Sequence, residues 1–133
     1  MTRAIQEAKK YQTPFGAVLY NGYKIVVAAN TGKSEGKVHH AEMNVFLKKP
    51  DDFKRDKPLE LFTTCEPCPM CTGAAIWEQV DFIYYGVSIE KASEFLPQIM
   101  VPAREIINHS FHKPEIRAHR MNKECLSLFE SYA

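Results

Sequence analysis

Three side chains of this 133-residue sequence have the types and the spacing of metal ligands. Cys68 and Cys71 lie at the predicted start of a helix, at positions i and i+3, so both sulfurs lie on one side of its first turn. The free N–H groups of that turn and the helix dipole favour the thiolate, which is the form that binds metal. His40 stands at a second predicted helix start, farther upstream. Two helix N-termini that point at one spot would bring the three side chains together.

The number of ligands favours a catalytic zinc over a structural one. Structural zinc sites usually have four protein ligands, whereas three ligands leave one coordination position for water. Glu42 is the next residue but one after His40, and in a first turn its long side chain can swing beside the same metal. Zinc supplies hydroxide near neutral pH, and a carboxylate at this place would take a proton from the bound water and hand it on. The pattern predicts zinc-assisted acid–base chemistry.

The two motifs together resemble the signature of a known superfamily. The stretch HAE at residues 40–42, followed by PCPMC at residues 67–71, is similar to the H-x-E and P-C-x-x-C signature of zinc deaminases. The sequence is identified as a member of the cytidine/deoxycytidylate deaminase-like superfamily, most similar to its guanine deaminase and tRNA-specific adenosine deaminase branches. The resemblance covers residues 3 to about 86, and it includes PFGAV at 14–18 and the stretch 63–75.

The resemblance implies a hydrolytic deamination. In this family zinc hydroxide attacks the ring carbon that bears an amino group, and a glutamate carries the protons. Transferred to this sequence, the family's pattern makes His40, Cys68 and Cys71 the ligands of one Zn²⁺ per chain. Glu42 is then the catalytic proton shuttle, which protonates the ring nitrogen and helps to expel ammonia.

The resemblance also implies which residues bind the substrate. Ala41 would offer its backbone N–H, Asn30 would bond the base edge, and Phe15 would line the base pocket. Guanine deaminases carry an acidic residue after the strand predicted at 82–85, and Glu90 is the candidate for that base-reading residue here. The expected substrate is a purine base or nucleoside, with guanine first. Adenosine in tRNA is the alternative, and cytosine is less favoured.

The hydrophobic pattern predicts the elements that position these residues. It indicates strands at 17–20, 24–29, 59–63, 82–85 and 115–119, and helices at 2–11, 40–48, 69–78, 102–108 and 122–132. Asn21-Gly22 predicts a hairpin turn, and the mixed charges of 48–57 predict a solvated turn. This order predicts an α/β fold, namely a three-layer α/β/α sandwich around a mixed sheet of about five strands, as in cytidine deaminase. Residues 1–133 are expected to form a single domain.

Two other classes of protein would use some of the same residues. A non-catalytic zinc domain would take Cys65 as its fourth ligand, but Glu42 would then have no role. A thiol redox protein would use the pair Cys68 and Cys71, but it leaves His40 and Glu42 unexplained. We interpret Cys65 and Cys125 as buried structural thiols and Trp77 as packing on its helix, and we interpret His39 as a residue of the surface or of the surroundings of the metal ligands.

Composition narrows the partners and the location. The formal net charge of +1 gives no bulk attraction to nucleic acid or to anionic lipid. The longest aliphatic run, IVVAA at 25–29, is far short of the roughly 20 residues that span a bilayer, and the N-terminus has no signal-peptide pattern. We therefore expect a cytoplasmic protein without a membrane partner, and the resemblance implies a homodimer. Under the tRNA alternative, a tRNA-binding surface would use the basic residues Arg104, Lys113, Arg117, Arg120 and Lys123, which we otherwise interpret as solvated.

Overall fold

The computed structural model describes residues 1–53 and 55–132, which form one sheet with helices on both faces. The strands are β1 (Gly16–Tyr20), β2 (Ile25–Ala29), β3 (Glu60–Cys65), β4 (Phe82–Val87) and β5 (Glu115–Arg117). The helices are α1 (Thr2–Lys10), α2 (Ala41–Lys48), α3 (Pro69–Trp77), α4 (Ile89–Ala92), α5 (Ala103–Asn108) and α6 (Asn122–Tyr132). The predicted α/β/α sandwich with a mixed five-stranded sheet is confirmed.

The sheet has the strand order β2-β1-β3-β4-β5. β1 is antiparallel to both β2 and β3, whereas β3, β4 and β5 are parallel to one another. The predicted hairpin joins β1 and β2, with Gly22 at a φ of 90° and with Asn21 Oδ1 accepting the N–H of Tyr23 at 2.9 Å. Because β3 lies where strand direction changes, its carboxyl end is the part of the sheet where α/β proteins usually bind ligands.

Each face of the sheet has its own hydrophobic core. On one face α2, α3 and α5 pack on fully buried side chains that include Leu19, Leu61 and Ile83. On the other face α1 and α6 meet around Phe129, which is also fully buried. Phe15 packs against both cores, just before β1. The helices that carry the metal-binding motifs, α2 and α3, therefore lie side by side on the first face.

The C-terminal helix crosses β4 at a point where only glycine fits. A Cβ atom at Gly86 would overlap Cys125 Sγ and would lie 2.6 Å from Cys125 Cβ and 2.9 Å from the Thr64 carbonyl oxygen. Asn122 Nδ2 donates a hydrogen bond of 2.8 Å to the Gly86 carbonyl at the same crossing. The absence of a side chain at Gly86 thus sets the distance between α6 and the sheet.

Most of the elements agree with the sequence pattern, and the differences concern β3, β4, β5 and α4. β4 continues to Val87 instead of ending at residue 85, and β5 ends at Arg117, before His119 with its φ of 63°. β3 continues beyond Thr63 to Cys65, because Cys65 still pairs with Val87 of β4. The short helix α4 was not predicted, since its four residues are too few to show a helical period. Its N-terminus is fixed by Ser88, whose hydroxyl accepts the N–H of Lys91 at 3.1 Å.

Two expectations are tested only in part by the structure. The turn predicted at 48–57 includes residue 54, which lies outside the described residues. No helix among the described residues is both long and apolar enough to cross a bilayer. The cytoplasmic location stays a prediction.

Gly86→Ala should lower the free energy of unfolding by about 1–3 kcal/mol, the usual cost of overpacking a core. The free energy of unfolding is measured by urea unfolding of Gly86→Ala. The single variant Cys125→Gly and the double variant are the controls. Because Cys125 supplies the two closest atoms at this position, the double variant should lose less than the sum of the two single losses. Additive losses would contradict this explanation of the glycine.

Candidate active site

Two helix starts deliver the predicted metal ligands. His40 is the N-cap of α2 and Cys68 is the N-cap of α3, and both residues have the extended backbone that an N-cap requires. Neither N-cap residue makes a side-chain capping hydrogen bond, and the His40 ring and the Cys68 sulfur point towards each other. Cys71 lies in the first turn of α3 and is fully buried. The backbone therefore directs all three side chains towards the carboxyl end of β3.

The ligand atoms meet at distances that fit zinc. His40, Cys68 and Cys71 form a cluster whose ligand atoms all lie within 4.8 Å of one another. His40 Nδ1 is 3.6 Å from Cys68 Sγ and 3.5 Å from Cys71 Sγ. A tetrahedral zinc with bonds of about 2.3 Å to sulfur and about 2.0 Å to nitrogen holds such atoms roughly 3.5 Å apart. The donor set and its spacing fit zinc, with Nδ1 as the ligand atom of the histidine.

Hydrogen bonding within the cluster prepares one sulfur to be a thiolate. The Cys71 and His40 side chains donate to Cys68, and they lower the pKa of its thiol to about 4. The pKa of Cys71 is raised, first because it shares its proton with Cys68 and second because it is buried. The pKa of His40 is raised by its hydrogen bond to Cys68. A divalent cation takes the place of these shared protons when the site binds metal.

Glu42 is a buried carboxyl group beside this cluster. Its side chain is 5% exposed and lines the same cavity as His40 and Cys68. Burial raises its pKa to about 7, although hydrogen bonds from its own backbone N–H and from Thr63 partly oppose the shift. A group with a pKa near neutral pH can both accept and donate a proton, as a general acid–base catalyst must.

A cavity of about 250 Å³ adjoins the cluster and Glu42. Phe15 and Asn30 form part of its wall, as predicted for a base pocket, and Cys65 lines it as a buried thiol. Asn30 is oriented by a hydrogen bond of 2.8 Å from the Gly32 N–H to its Oδ1. Ala41 is fully buried at the first position of α2, where a backbone N–H has no partner within the helix.

The opposite wall of the cavity is formed by Leu96, Pro97 and Gln98, which precede α5. Glu66 holds this segment in place from both ends. Its Oε1 accepts the N–H of Ile89 at 3.0 Å, and its Oε2 accepts the N–H of Ala103 at 2.8 Å. These two residues begin α4 and α5, so one buried carboxylate satisfies the N-termini of both helices that flank the wall.

Two placements differ from the sequence interpretation, and the placement of Cys65 agrees with it. Glu90 is exposed on α4 and does not line the cavity, so the structure does not bring it to the other site residues. Trp77 is 76% exposed on α3 and contacts Phe111 with ring centroids 4.9 Å apart, so it is not a core residue. Cys65 is buried but lies outside the metal cluster.

Sequence reasoning missed Glu66 and Asn44, and it left the segment 95–110 without a role. Asn44 Nδ2 donates to the carbonyl of Ala29 and to the hydroxyl of Thr31, both at 2.9 Å. Its Oδ1 is 2.9 Å from His39 Nδ1, so His39 belongs to the anchor of the 30–40 loop. The only sequence signal was a polar residue on the apolar side of a short helix, which does not reveal its partners.

Comparison with known proteins shows the family. Residues 1–87 match the cytidine and deoxycytidylate deaminase zinc-binding region. The chain therefore belongs to this family of zinc-binding deaminases, which hydrolyse C–N bonds of nucleobases or nucleosides. Of the residues that line the cavity, Leu96, Pro97 and Gln98 lie beyond the matched region.

The relatives include deaminases of different substrates. The tRNA-specific adenosine deaminase of Bacillus subtilis is 31% identical over 140 residues, which cover 99% of this chain and 85% of that protein. The guanine deaminase of the same organism is 33% identical over 86 residues, which cover 61% of this chain and 54% of that protein. A solved structure from work on tRNA:A34 deaminases shares the fold, with a TM-score of 0.71, 21% identity and coverage of 94% of this chain and 92% of that chain. A guanine deaminase structure from Nitrosomonas europaea also shares the fold, with a TM-score of 0.72, 16% identity and coverage of 97% and 78%.

Metal content should depend on the cluster and not on Cys65. We expect Cys71→Ser and His40→Ala to lose most of the bound zinc, because removing one of three protein ligands leaves an incomplete set. Cys65→Ala, the matched control, should keep one zinc per chain, as measured by elemental analysis after dialysis. Loss of zinc from Cys65→Ala would instead support the fourth-ligand alternative.

Proposed function

We propose that this chain, acting as a single deaminase domain with one Zn²⁺, deaminates adenosine in tRNA. The expected order of substrates, with guanine first, is thereby reversed. One observation supports this change of order. Among the described residues that line the cavity, no acidic side chain is available to accept hydrogen bonds from guanine. The acidic residues there are Glu42 and Glu66, and Glu66 uses both oxygens on backbone N–H groups.

The hydrogen-bonding patterns of the two bases make this observation relevant. Guanine presents N–H donors at its ring nitrogen and its amino group, for which a carboxylate is the strongest acceptor. Adenine presents ring-nitrogen acceptors and one amino group, which the neutral amide of asparagine or glutamine can match. The polar side chains left at the cavity besides Glu42 are the amides of Asn30 and Gln98. The extent of similarity to the tRNA deaminase, along 99% of this chain, supports the same choice.

The chain's own residues then have the following roles. Zinc held by His40, Cys68 and Cys71 supplies the Lewis acidity that lets water attack at neutral pH. Glu42 takes one proton from the attacking water and gives it to the ring nitrogen next to the reacting carbon. It takes the second proton of that water and passes it to the departing amino group, which leaves as ammonia. Ala41 N–H and Asn30 hold the base so that this carbon faces the attacking water.

Guanine remains the second candidate. The guanine deaminase of Bacillus subtilis is 33% identical to this chain over 61% of this chain's length. Phe15 and Asn30 line the cavity and would serve either purine, since they would contact only the ring face and one edge. The base-reading role predicted for Glu90 would require α4 to move, because Glu90 is exposed on that helix.

We also propose the homodimer that the resemblance implies, with α3 as its interface. α3 contains no charged residue, and Met70, Ala74 and Trp77 follow one another along its outer side. Trp77 and the neighbouring Phe111 are 76% and 67% exposed, which is unusual for such large apolar side chains. A second copy of this apolar surface would bury both rings.

Glu42→Gln should reduce kcat by roughly 100- to 10,000-fold, because the amide cannot carry the proton. The assay is ammonia release by zinc-loaded protein from guanine, guanosine, adenine, adenosine, cytosine, cytidine and tRNA with adenosine at the wobble position. Zinc content of the variant serves as the control and should be unchanged. Release from tRNA supports the first candidate, and release from guanine alone would replace it with the second. A variant that retained near-normal turnover would refute the proton-shuttle role.

Trp77→Glu should weaken self-association by roughly 30-fold or more, the effect expected for an aromatic hot spot. Analytical ultracentrifugation over a range of concentrations measures the dissociation constant. Ile25→Glu is the control, since Ile25 is also an exposed apolar side chain, 40% exposed on the edge strand β2. A wild-type chain that is monomeric at micromolar concentration would contradict the dimer.

A further inference from the structure

A second cavity opens beside the metal cluster. It has a volume of about 480 Å³, and it shares Phe15, Asn30 and His40 with the cavity that holds Glu42. A ligand whose base occupies the first cavity can therefore continue past these three residues into the second. The first cavity alone, of about 250 Å³, can hold a free base. The second cavity is therefore additional space that a free base would not use.

The second cavity has positive charge on its wall. Lys33 and Lys37 both line it, and no aspartate or glutamate is among the described residues that do. Glu35, which lies between the two lysines, lines a separate cavity on the other side of the loop. Hydrogen-bonding groups that line the second cavity are supplied by Gln12, Thr13, Ser34 and Tyr132. This is a cationic pocket in a chain whose net charge is only +1.

The loop that carries the lysines is held in one conformation. The Glu35 N–H donates to the Thr31 carbonyl at 2.8 Å, and the His39 N–H donates to the Gly36 carbonyl at 3.0 Å. The Asn30 side chain accepts the Gly32 N–H at the start of the loop. These hydrogen bonds restrict the loop backbone, and such restriction reduces the entropy lost when a ligand binds to the two ammonium groups.

Aromatic side chains stand at the same cavity. Tyr11 and Tyr132 line it, and they are 49% and 42% exposed. Lys33 Nζ lies 5.7 Å from the centroid of the Tyr132 ring. Exposed rings next to cationic side chains are suited to nucleotides, since a base can stack on the ring while the ammonium binds the adjoining phosphate.

Three basic residues of the C-terminal third make contacts away from the second cavity. Arg117 bonds Glu115 at 2.6 Å and lies over the Phe82 ring, and Arg120 lies over the Tyr84 ring. Lys113 Nζ donates to three backbone carbonyls around the end of α5. Among the described residues that line the second cavity, Lys33 and Lys37 supply the positive charge.

We propose that the Lys33–Lys37 cavity is a phosphate subsite, so that the substrate is a nucleotide and not a free base. This inference rests on the proposed deaminase function, and it adds the part of the substrate that the base cavity does not hold. The shared chemistry is a phosphate attached to the nucleoside that is deaminated. The phosphate belongs either to a mononucleotide or to the backbone of an RNA.

Binding is measured first, without turnover, in the zinc-loaded Glu42→Gln protein. The probe is a fluorescein-labelled RNA hairpin with the sequence of an anticodon stem-loop and adenosine at the wobble position. Lys33→Gln with Lys37→Gln should raise Kd roughly tenfold or more, because each charge-assisted contact is lost. It should also reduce the slope of log Kd against log salt by about 1 per lysine. Lys24→Gln with Lys57→Gln removes the same charge from the β1–β2 hairpin end of the sheet, where both residues are exposed, and should leave Kd nearly unchanged.

Turnover then separates the two sources of phosphate. With Glu42 intact, the lysine variant should lose roughly tenfold in kcat/KM for the phosphorylated substrate and little for adenosine itself. A loss with adenosine 5′-monophosphate assigns the subsite to a mononucleotide, and a loss with the hairpin alone assigns it to RNA. An equal loss for adenosine, the same loss in the Lys24/Lys57 control, or an unchanged hairpin Kd together with an unchanged kcat/KM for adenosine 5′-monophosphate would overturn the subsite.

The same experiments distinguish the failure of the subsite from the failure of the deaminase. Lysine-dependent binding of the RNA without ammonia from any substrate would leave the subsite in place and refute the proposed activity. Ammonia release from free guanine at the same rate in the wild type and in the lysine variant would support a deaminase and overturn the subsite.

Discussion

The structure depends on the meeting of two helix N-termini at the carboxyl end of β3. His40 and Cys68 occupy equivalent N-cap positions, and neither makes a side-chain capping hydrogen bond. Their Nδ1 and Sγ atoms lie 3.6 Å apart. Zinc requires such separations to within a few tenths of an ångström. The sheet sets these distances because α2 and α3 pack side by side on one of its faces, although they come from different parts of the chain.

Glu66 extends this constraint from the metal cluster to the opposite wall of the cavity. It lies between β3 and the Cys68 helix, and it receives the first N–H groups of α4 and α5. A buried carboxylate is costly unless its oxygens are bonded, and here the bonds also fix Leu96, Pro97 and Gln98 across the cavity from the metal cluster. The wall therefore keeps its position relative to the reacting groups, although it comes from a distant part of the chain.

The same reaction can serve several substrates because catalysis and recognition use different parts of the fold. The metal cluster and Glu42 lie on the first turns of α2 and α3, whereas the walls come from the loop at 30–37 and the segment before α5. Burial of Glu42 tunes its proton affinity whatever base is bound. Loops can change their side chains without moving the helix starts, so substrate choice can vary on a constant chemical centre.

The sequence by itself determined the chemistry and most of the elements. Ligand types, their i, i+3 spacing and the neighbouring glutamate are local features, and hydrophobic periodicity is local as well. The role of Glu66, the burial of Asn44, the exposure of Glu90 and Trp77, and the cavity beside Lys33 were decided only by the tertiary structure. Each depends on contacts between segments far apart in the chain, such as Glu66 with Ala103. Such contacts leave no periodic pattern in the residues that make them, so only the packed sheet and helices reveal them.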